Sequence, residues 1–322
     1  MCTNHKIKTL AITIVGSALL LSASAFAETR ITYKSAKSTS SYYQMGVQIA
    51  EAMKAGSDGE IIVTVEESQG SVQNVMEAKA RGGDYVFTTP PVLVKLAQSG
   101  KAMFEGKGDP KFDDIRALFP IPSLTMHFVM SEKSGVSDFA GMEGKTILLG
   151  KGSFGATEGA KYIKLFGLEG KVELANVELS NAVAALKNGQ IDGFVTAGSW
   201  PAPNVIEAAA STGVMVVSLS DDQITQSKRA KLVIPAGTYA GQDSDITTTS
   251  LPVAAFTTTA MSDDAAYAMT KTYWEGKDTM GTSAAWWNGV DKGLMENITG
   301  KIHPGAIRYY KEAGFELTSD QM

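Results

Sequence analysis

The sequence predicts an α/β fold divided into two lobes. Strand-like and helix-like segments alternate almost throughout, the pattern of parallel sheets flanked by helices. The 322 residues also exceed what one compact core of ordinary size holds, so two lobes are expected. A third observation concerns the turns. Several strand-to-helix loops are rich in glycine and hydroxyl side chains, and in such folds ligands lie beyond the carboxyl ends of the strands, where loops meet helix N-termini.

Ile31–Lys34 reads as a short strand, and Tyr42–Lys54 as a helix with Tyr43, Val47, Ala50 and Met53 on one face. Glu60–Glu66 alternates as a strand, and Ser71–Ala80 is a helix with Ser71 as its cap. Tyr85–Thr88, Met126–Met130 and Thr146–Leu149 are strands, and Thr157–Phe166 and Ser180–Asn188 are helices. Ile191–Thr196, Val214–Leu219 and Leu251–Phe256 are strands, after which the chain turns helical over Asp263–Glu275, Ser283–Trp287 and Pro304–Ala313. The loops to inspect are therefore Ser35–Ser41, Ser68–Ser71, Thr88–Pro91, Gly150–Ala156 and Ala197–Pro203. Pro235–Ser250, rich in Gly, Asp, Ser and Thr, reads as a boundary or surface excursion.

Residues 1–27 have the three parts of a cleaved secretory signal. His5, Lys6 and Lys8 are followed by an apolar run from about Leu10 to Leu21 and by Ala25-Phe26-Ala27. The apolar run is short for a membrane span, which needs about 20 residues. Cys2, the one cysteine, precedes that run and leaves with it, so no disulfide is expected. The remaining chain has 27 basic against 34 acidic residues, because Lys6 and Lys8 drop out of the 29. A net charge near −7 argues against nucleic acid as a partner, which needs a basic face. It also means that an anionic ligand would need local positive groups. His127 and His303 are too far apart to read as a metal motif.

Gly150-Lys151-Gly152-Ser153-Phe154-Gly155 fits G-x-G-x-x-G after a strand, with Glu173 near the place of a ribose-binding acid. An exported nucleotide-dependent oxidoreductase is one reading. Against it stand the mid-chain position, the export signal and the lack of a downstream catalytic His or Cys constellation. The same loop at a helix N-terminus offers N–H donors and a positive dipole end to any anion, with hydroxyls from Ser153 and Thr157. A plain tight turn is the bland alternative. Gly144-Lys145-Thr146 lacks the upstream glycine of a phosphate loop, since Phe139 stands there. Ser38 to Tyr43 is a run of six hydroxyl side chains, more than N-capping by Ser40 or Ser41 requires. Gln69-Gly70-Ser71 repeats the strand-to-helix geometry. Trp200, in a stiff Ser-Trp-Pro-Ala-Pro loop, would cover a ligand or plug the surface; Trp286 and Trp287 read as packing.

In this order the motifs resemble the TAXI family of solute-binding proteins, which serve TRAP-type transporters. The resemblance spans essentially the whole chain after the signal. It rests on Ser41–Gly46, Glu67–Asn74, Gly150–Glu158, Leu186–Phe194, Ile234–Asp243 and His303–Tyr310. It implies a two-lobed periplasmic binding protein, type II-like, with the ligand cleft between lobes joined by hinge strands. Lobe one would be 28–121 plus 251–322, and lobe two 122–250. It further implies a periplasmic location, a TRAP membrane permease as partner, and a small organic acid as ligand, either a glutamate-like amino acid or a dicarboxylate. No enzyme activity, cofactor or metal is expected, and a monomer is. A receptor feeding a signalling partner is the other alternative. The ligand-binding residues would be Lys37, Ser40, Ser41, Tyr42, Tyr43, Gln69, Ser71, Thr88, Thr89, Ser153, Gly155, Ala156, Thr157 and Trp200. Where the family has a glycine-rich run before the tyrosine pair, this chain has Ala36, Lys37, Thr39 and Ser40. Lys37 is thereby expected to face a ligand carboxylate, with Ser153, Gly155 and Thr157 holding a second anionic group.

Overall fold

The structure, a computed structural model, describes residue 1 and residues 28–151 and 153–322. The expected export signal and Cys2 lie outside the described residues, as does Gly152.

The fold is two-lobed α/β, but the expected separate parallel sheets are one continuous mixed sheet. Its strands are β1 (Thr29–Lys34), β2 (Ile61–Glu66), β3 (Tyr85–Thr89), β4 (Ile115–Ser131), β5 (Thr146–Leu148), β6 (Glu173–Ala175), β7 (Gly193–Gly198), β8 (Val214–Val216), β9 (Ala230–Ile234) and β10 (Ile246–Thr258). The order is β2-β1-β3-β10-β4-β7-β5-β6, with β8 on β4 and β9 on β10. At one end β1, β2 and β3 are parallel, and at the other β5, β6 and β7 are. Between them the antiparallel pair β4 and β10 runs through both lobes.

That pair has a fault at its middle. Thr125 faces Ser250 and Leu124 faces Leu251, yet the next partners are Ile121 and Val253. Pro122 and Ser123 thus oppose Pro252 alone, a bulge where neither proline has an N–H to give the ladder. Just before it, β4 carbonyls on one edge are held by tyrosines from three helices, α1 (Ser41–Gly56), α8 (Asp263–Ser283) and α9 (Pro304–Glu312). The hydroxyl of Tyr310 donates to Leu118 O at 2.6 Å, that of Tyr273 to Pro120 O at 2.6 Å, and that of Tyr42 to Pro122 O at 2.9 Å. An edge that lacks a strand partner is satisfied by side chains instead.

Successive residues of β4 face opposite sides of the sheet. Leu124, Met126, Phe128 and Met130 join the larger core, whereas Val129 packs in a second core with Phe194, Trp200, Leu232 and Tyr239. His127, on the same side as Val129, is fully buried. Its Nε2 accepts from the Tyr239 hydroxyl at 2.8 Å, and its Nδ1 lies 3.2 Å from Thr125 O. Burial lowers its pKa to about 4.

Several segments differ from expectation. The buried face of α1 is Tyr42, Met45, Ile49 and Met53, and Val47 is exposed. Gly70, not Ser71, caps α2 (Ser71–Glu77), with φ +114°. The helix expected at Thr157 starts earlier, as α4 (Phe154–Leu165). The helix expected over Ser180–Asn188 is a 3₁₀ turn followed by α5 (Ala182–Lys187), and the one at Ser283–Trp287 is a 3₁₀ turn, Ala285–Gly289. Helices α3 (Pro91–Gln98), α6 (Pro203–Thr212) and α7 (Asp221–Ser227), and strand β9, complete the fold. Among the described residues no helix is long and apolar enough to cross a membrane.

Candidate functional site

Four strand-to-helix loops meet where the lobes face one another. At the β1–β3 end of the sheet, here called lobe one, these are the loops β1–α1 and β2–α2; at the β5–β7 end, lobe two, they are β5–α4 and β7–α6. Ser40 caps α1 by accepting the Tyr43 N–H at 3.2 Å. The Ser35 hydroxyl donates to Tyr42 O at 2.6 Å, that of Ser68 to Ser35 O at 2.9 Å, and the Gly70 N–H to Ser68 Oγ at 2.9 Å. Beneath them Asn74 donates to Ser35 O at 2.6 Å and to Thr88 O at 2.9 Å, tying the ends of β1 and β3 together.

On the other side Ser153 caps α4, accepting the Ala156 N–H at 2.9 Å and donating to Gly150 O at 3.0 Å. Gly150 has φ +80°, and a Cβ at Gly155 would stand 2.9 Å from that of Ala197 on β7. Glycine here lets the helix start lie directly on the strand.

The lobes touch. Ser41 Oγ accepts the Ser199 N–H at 2.8 Å, and Lys37 Nζ is 4.0 Å from Glu178. Between them remains a cavity of about 60 Å³ that Leu124 of β4 helps to line. Lobe one lines it with Lys37, Ser40, Tyr42, Gln69 and Ser71, and lobe two with Lys151, Ser153, Gly155 and Glu178. Two lysines and the N-terminal end of α4 make the cavity locally positive on an acidic protein, offset by Glu178. Beside it, hydrogen bonds from the Ser38 side chain and backbone, aided by the charge of Lys37, lower the pKa of Glu67. Among the described residues no cluster of His, Cys, Asp or Glu could hold a metal.

Of the residues singled out from sequence, Lys37, Ser40, Tyr42, Gln69, Ser71, Ser153 and Gly155 line the cavity. Ser41 sits at the contact with Ser199. Tyr43, Ala156 and Thr157 follow in the first turns of α1 and α4 and are not among the lining residues. Thr88 and Thr89 are buried at the end of β3, where Thr88 Oγ1 is 2.9 Å from the Tyr33 hydroxyl. Trp200 lies elsewhere, in a groove that it lines with Ser123 and Thr125 of β4. Sequence reasoning passed over Lys151, inside the glycine motif, and Glu178, whose segment carries no motif. Lys37 is not an unpaired cation waiting for a carboxylate, since Glu178 already faces it.

Residues 34–314 match the NMT1-like family. Among solved structures, MatC from Rhodopseudomonas palustris with bound malate is 11% identical with a TM-score of 0.56, over 84% of this chain and 96% of that one. A periplasmic transporter is 10% identical with a TM-score of 0.55, over 90% and 98%. These likenesses concern the fold.

Proposed function

The chain belongs to the NMT1-like family, and from that premise we propose that it is the extracytoplasmic receptor of a solute importer. It captures a small organic acid, a glutamate-like amino acid or a dicarboxylate, and hands it to a TRAP-type permease, in keeping with the resemblance to the TAXI family. The carrying observation is that two helix starts from opposite lobes, α1 and α4, meet around one cavity with Lys37 and Lys151 beside them. A helix start supplies oriented N–H donors and a positive dipole end, and the lysines supply charge.

A cavity of about 60 Å³ has room for a few water molecules, whereas ligand pockets run to roughly 300–1,000 Å³. Loading therefore requires the lobes to part. We place the hinge at the bulge, Pro122-Ser123 against Pro252, with residues 28–121 and 251–322 as lobe one and 122–250 as lobe two. The ladder is weakest there and its two prolines carry no N–H to lose. In this reading the protein is exported by its N-terminal signal, works in the periplasm as a monomer, and binds without turnover. Ser40, Tyr42, Gln69, Ser71 and Ser153 supply neutral polar contacts, and Lys37 meets the ligand's anionic end once Glu178 swings away.

Calorimetry on the chain from residue 28, with glutamate, 2-oxoglutarate and malate, tests this. Binding of one of them, with a smaller radius of gyration at saturation than in an opened reference such as Ser41→Trp, is expected. No binding by any of the three would overturn the organic-acid reading. A hydride-transfer signal with NAD that Gly152→Ala abolishes would overturn the non-enzymatic one.

A further inference from the structure

The hinge strands have a second face. Opposite the cleft, a groove of about 400 Å³ runs between the lobes. Its walls are Trp200 and Leu232 from lobe two and Trp286 and Asn288 from the C-terminal part of lobe one, with Ser123 and Thr125 of β4 between. Leu124 lines the cleft and Ser123 and Thr125 line the groove, so alternate residues of β4 serve the two sites. Among the described residues no charged side chain lines the groove. The Thr125 hydroxyl is buried and has no hydrogen-bond partner among the described residues, a costly arrangement unless something satisfies it.

Trp286 and the residue before Trp200 are both tied to the helix whose first turn lines the cleft. Trp286 Nε1 donates to Gln48 Oε1 at 3.2 Å, and Ser199, next to Trp200, donates its N–H to Ser41 at 2.8 Å. Gln48 and Ser41 lie about two turns apart on α1. Whatever sets the spacing of the two indoles also bears on α1 against the β7–α6 loop.

We propose that this rear groove is a second binding site, for an uncharged planar molecule with at least one hydrogen-bonding group, and that filling it tightens the Ser41–Ser199 contact. Two indoles suit a flat ring. The uncharged walls disfavour an ion, which would lose its hydration without a partner. This does not depend on which solute the cleft takes.

Nicotinamide is a suitable probe, read by tryptophan fluorescence. The expected result is saturable quenching by nicotinamide, at least tenfold weaker binding of its charged analogue nicotinate, and loss of the saturable component in Ser123→Phe, which fills the groove from a half-buried position. Trp200→Leu should weaken binding at least tenfold, with circular dichroism showing that both variants are folded. Amide exchange at Ser199 should slow at least threefold when nicotinamide is bound. Quenching that stays linear in the wild-type protein, or saturable quenching that survives Ser123→Phe, overturns the site. Saturable quenching with unchanged exchange at Ser199 overturns its coupling to the cleft.

Discussion

Ser41 Oγ accepts the backbone N–H of Ser199 at 2.8 Å, joining the first residue of α1 to the residue that follows β7 in the other lobe. Both are buried, and Gly198 leaves the room, since a Cβ there would stand 2.8 Å from the same oxygen. Ser41→Ala strands the Ser199 N–H whenever the lobes close. An unpaired buried donor costs about 1–3 kcal/mol, so ligand affinity should fall roughly five- to a hundredfold by calorimetry. The melting temperature without added ligand should move much less than the affinity if opening frees the amide to water. An unchanged affinity would show that this contact is absent from the loaded protein.

Lys37 and Glu178 form the second tie across the cleft, at 4.0 Å with both side chains partly exposed. Lys37→Ala should weaken a dicarboxylate by about ten- to a hundredfold, the range of a lost charge-assisted hydrogen bond. Glu178→Gln removes the competing carboxylate and should tighten the same ligand. Titrations of wild type and both variants with malate check this; equal affinities in all three would remove Lys37 from the site.

His127 should make the fold acid-sensitive. Its folded pKa is lowered to about 4 by burial, below the ordinary 6.5, so the unfolded chain binds the extra proton between these values. Stability from this residue is therefore fully present above pH 6.5 and is lost as pH falls towards 4. At about 1.4 kcal/mol per pH unit the loss is on the order of 3 kcal/mol. Urea melts at pH 7 and pH 4.5 should separate wild type from His127→Gln, the variant being less stable at pH 7 but less sensitive to acid. Parallel slopes for the two proteins would assign the acid response to other groups.

Gly155→Val should destabilise the packing of α4 on β7, whatever it also does at the cavity that Gly155 lines. Its Cβ would sit 2.9 Å from that of Ala197 and 3.3 Å from the Ala197 N. Overpacking of this kind costs about 1–3 kcal/mol, read as a lower denaturation midpoint. Thr157→Val, at an exposed position two residues beyond the last lining residue of α4, should change the stability by no more than about 0.5 kcal/mol.

The alternation of elements and the loops worth inspecting were legible because each follows a strand and opens a helix, three with a serine or glycine at the cap and two with proline in the first turn. Ser40 and Ser153 do cap their helices. Strand β4 was half hidden: Pro120 and Pro122 break the pattern of Ile115–Ser131, and only the three-dimensional edge, with its tyrosine donors, explains how a strand tolerates them. The buried face of α1 was misread by one step of the helix, because Tyr43 and Val47 are as apolar in sequence as Tyr42 and Met45. Glu178 and the placement of Trp200 depend on how the lobes meet, which no local pattern records.

The course of β4 and β10 has a consequence for the order in which the chain can acquire structure. Strand β3 pairs with β10 through Thr89 and Ala254, so the sheet of lobe one cannot close until nearly the whole chain is available. Closing so long a loop is entropically costly and makes assembly slow. The middle segment is contiguous and has no such wait. A chain emerging from its N-terminus thus leaves β3 without its β10 neighbour until that late strand has been made.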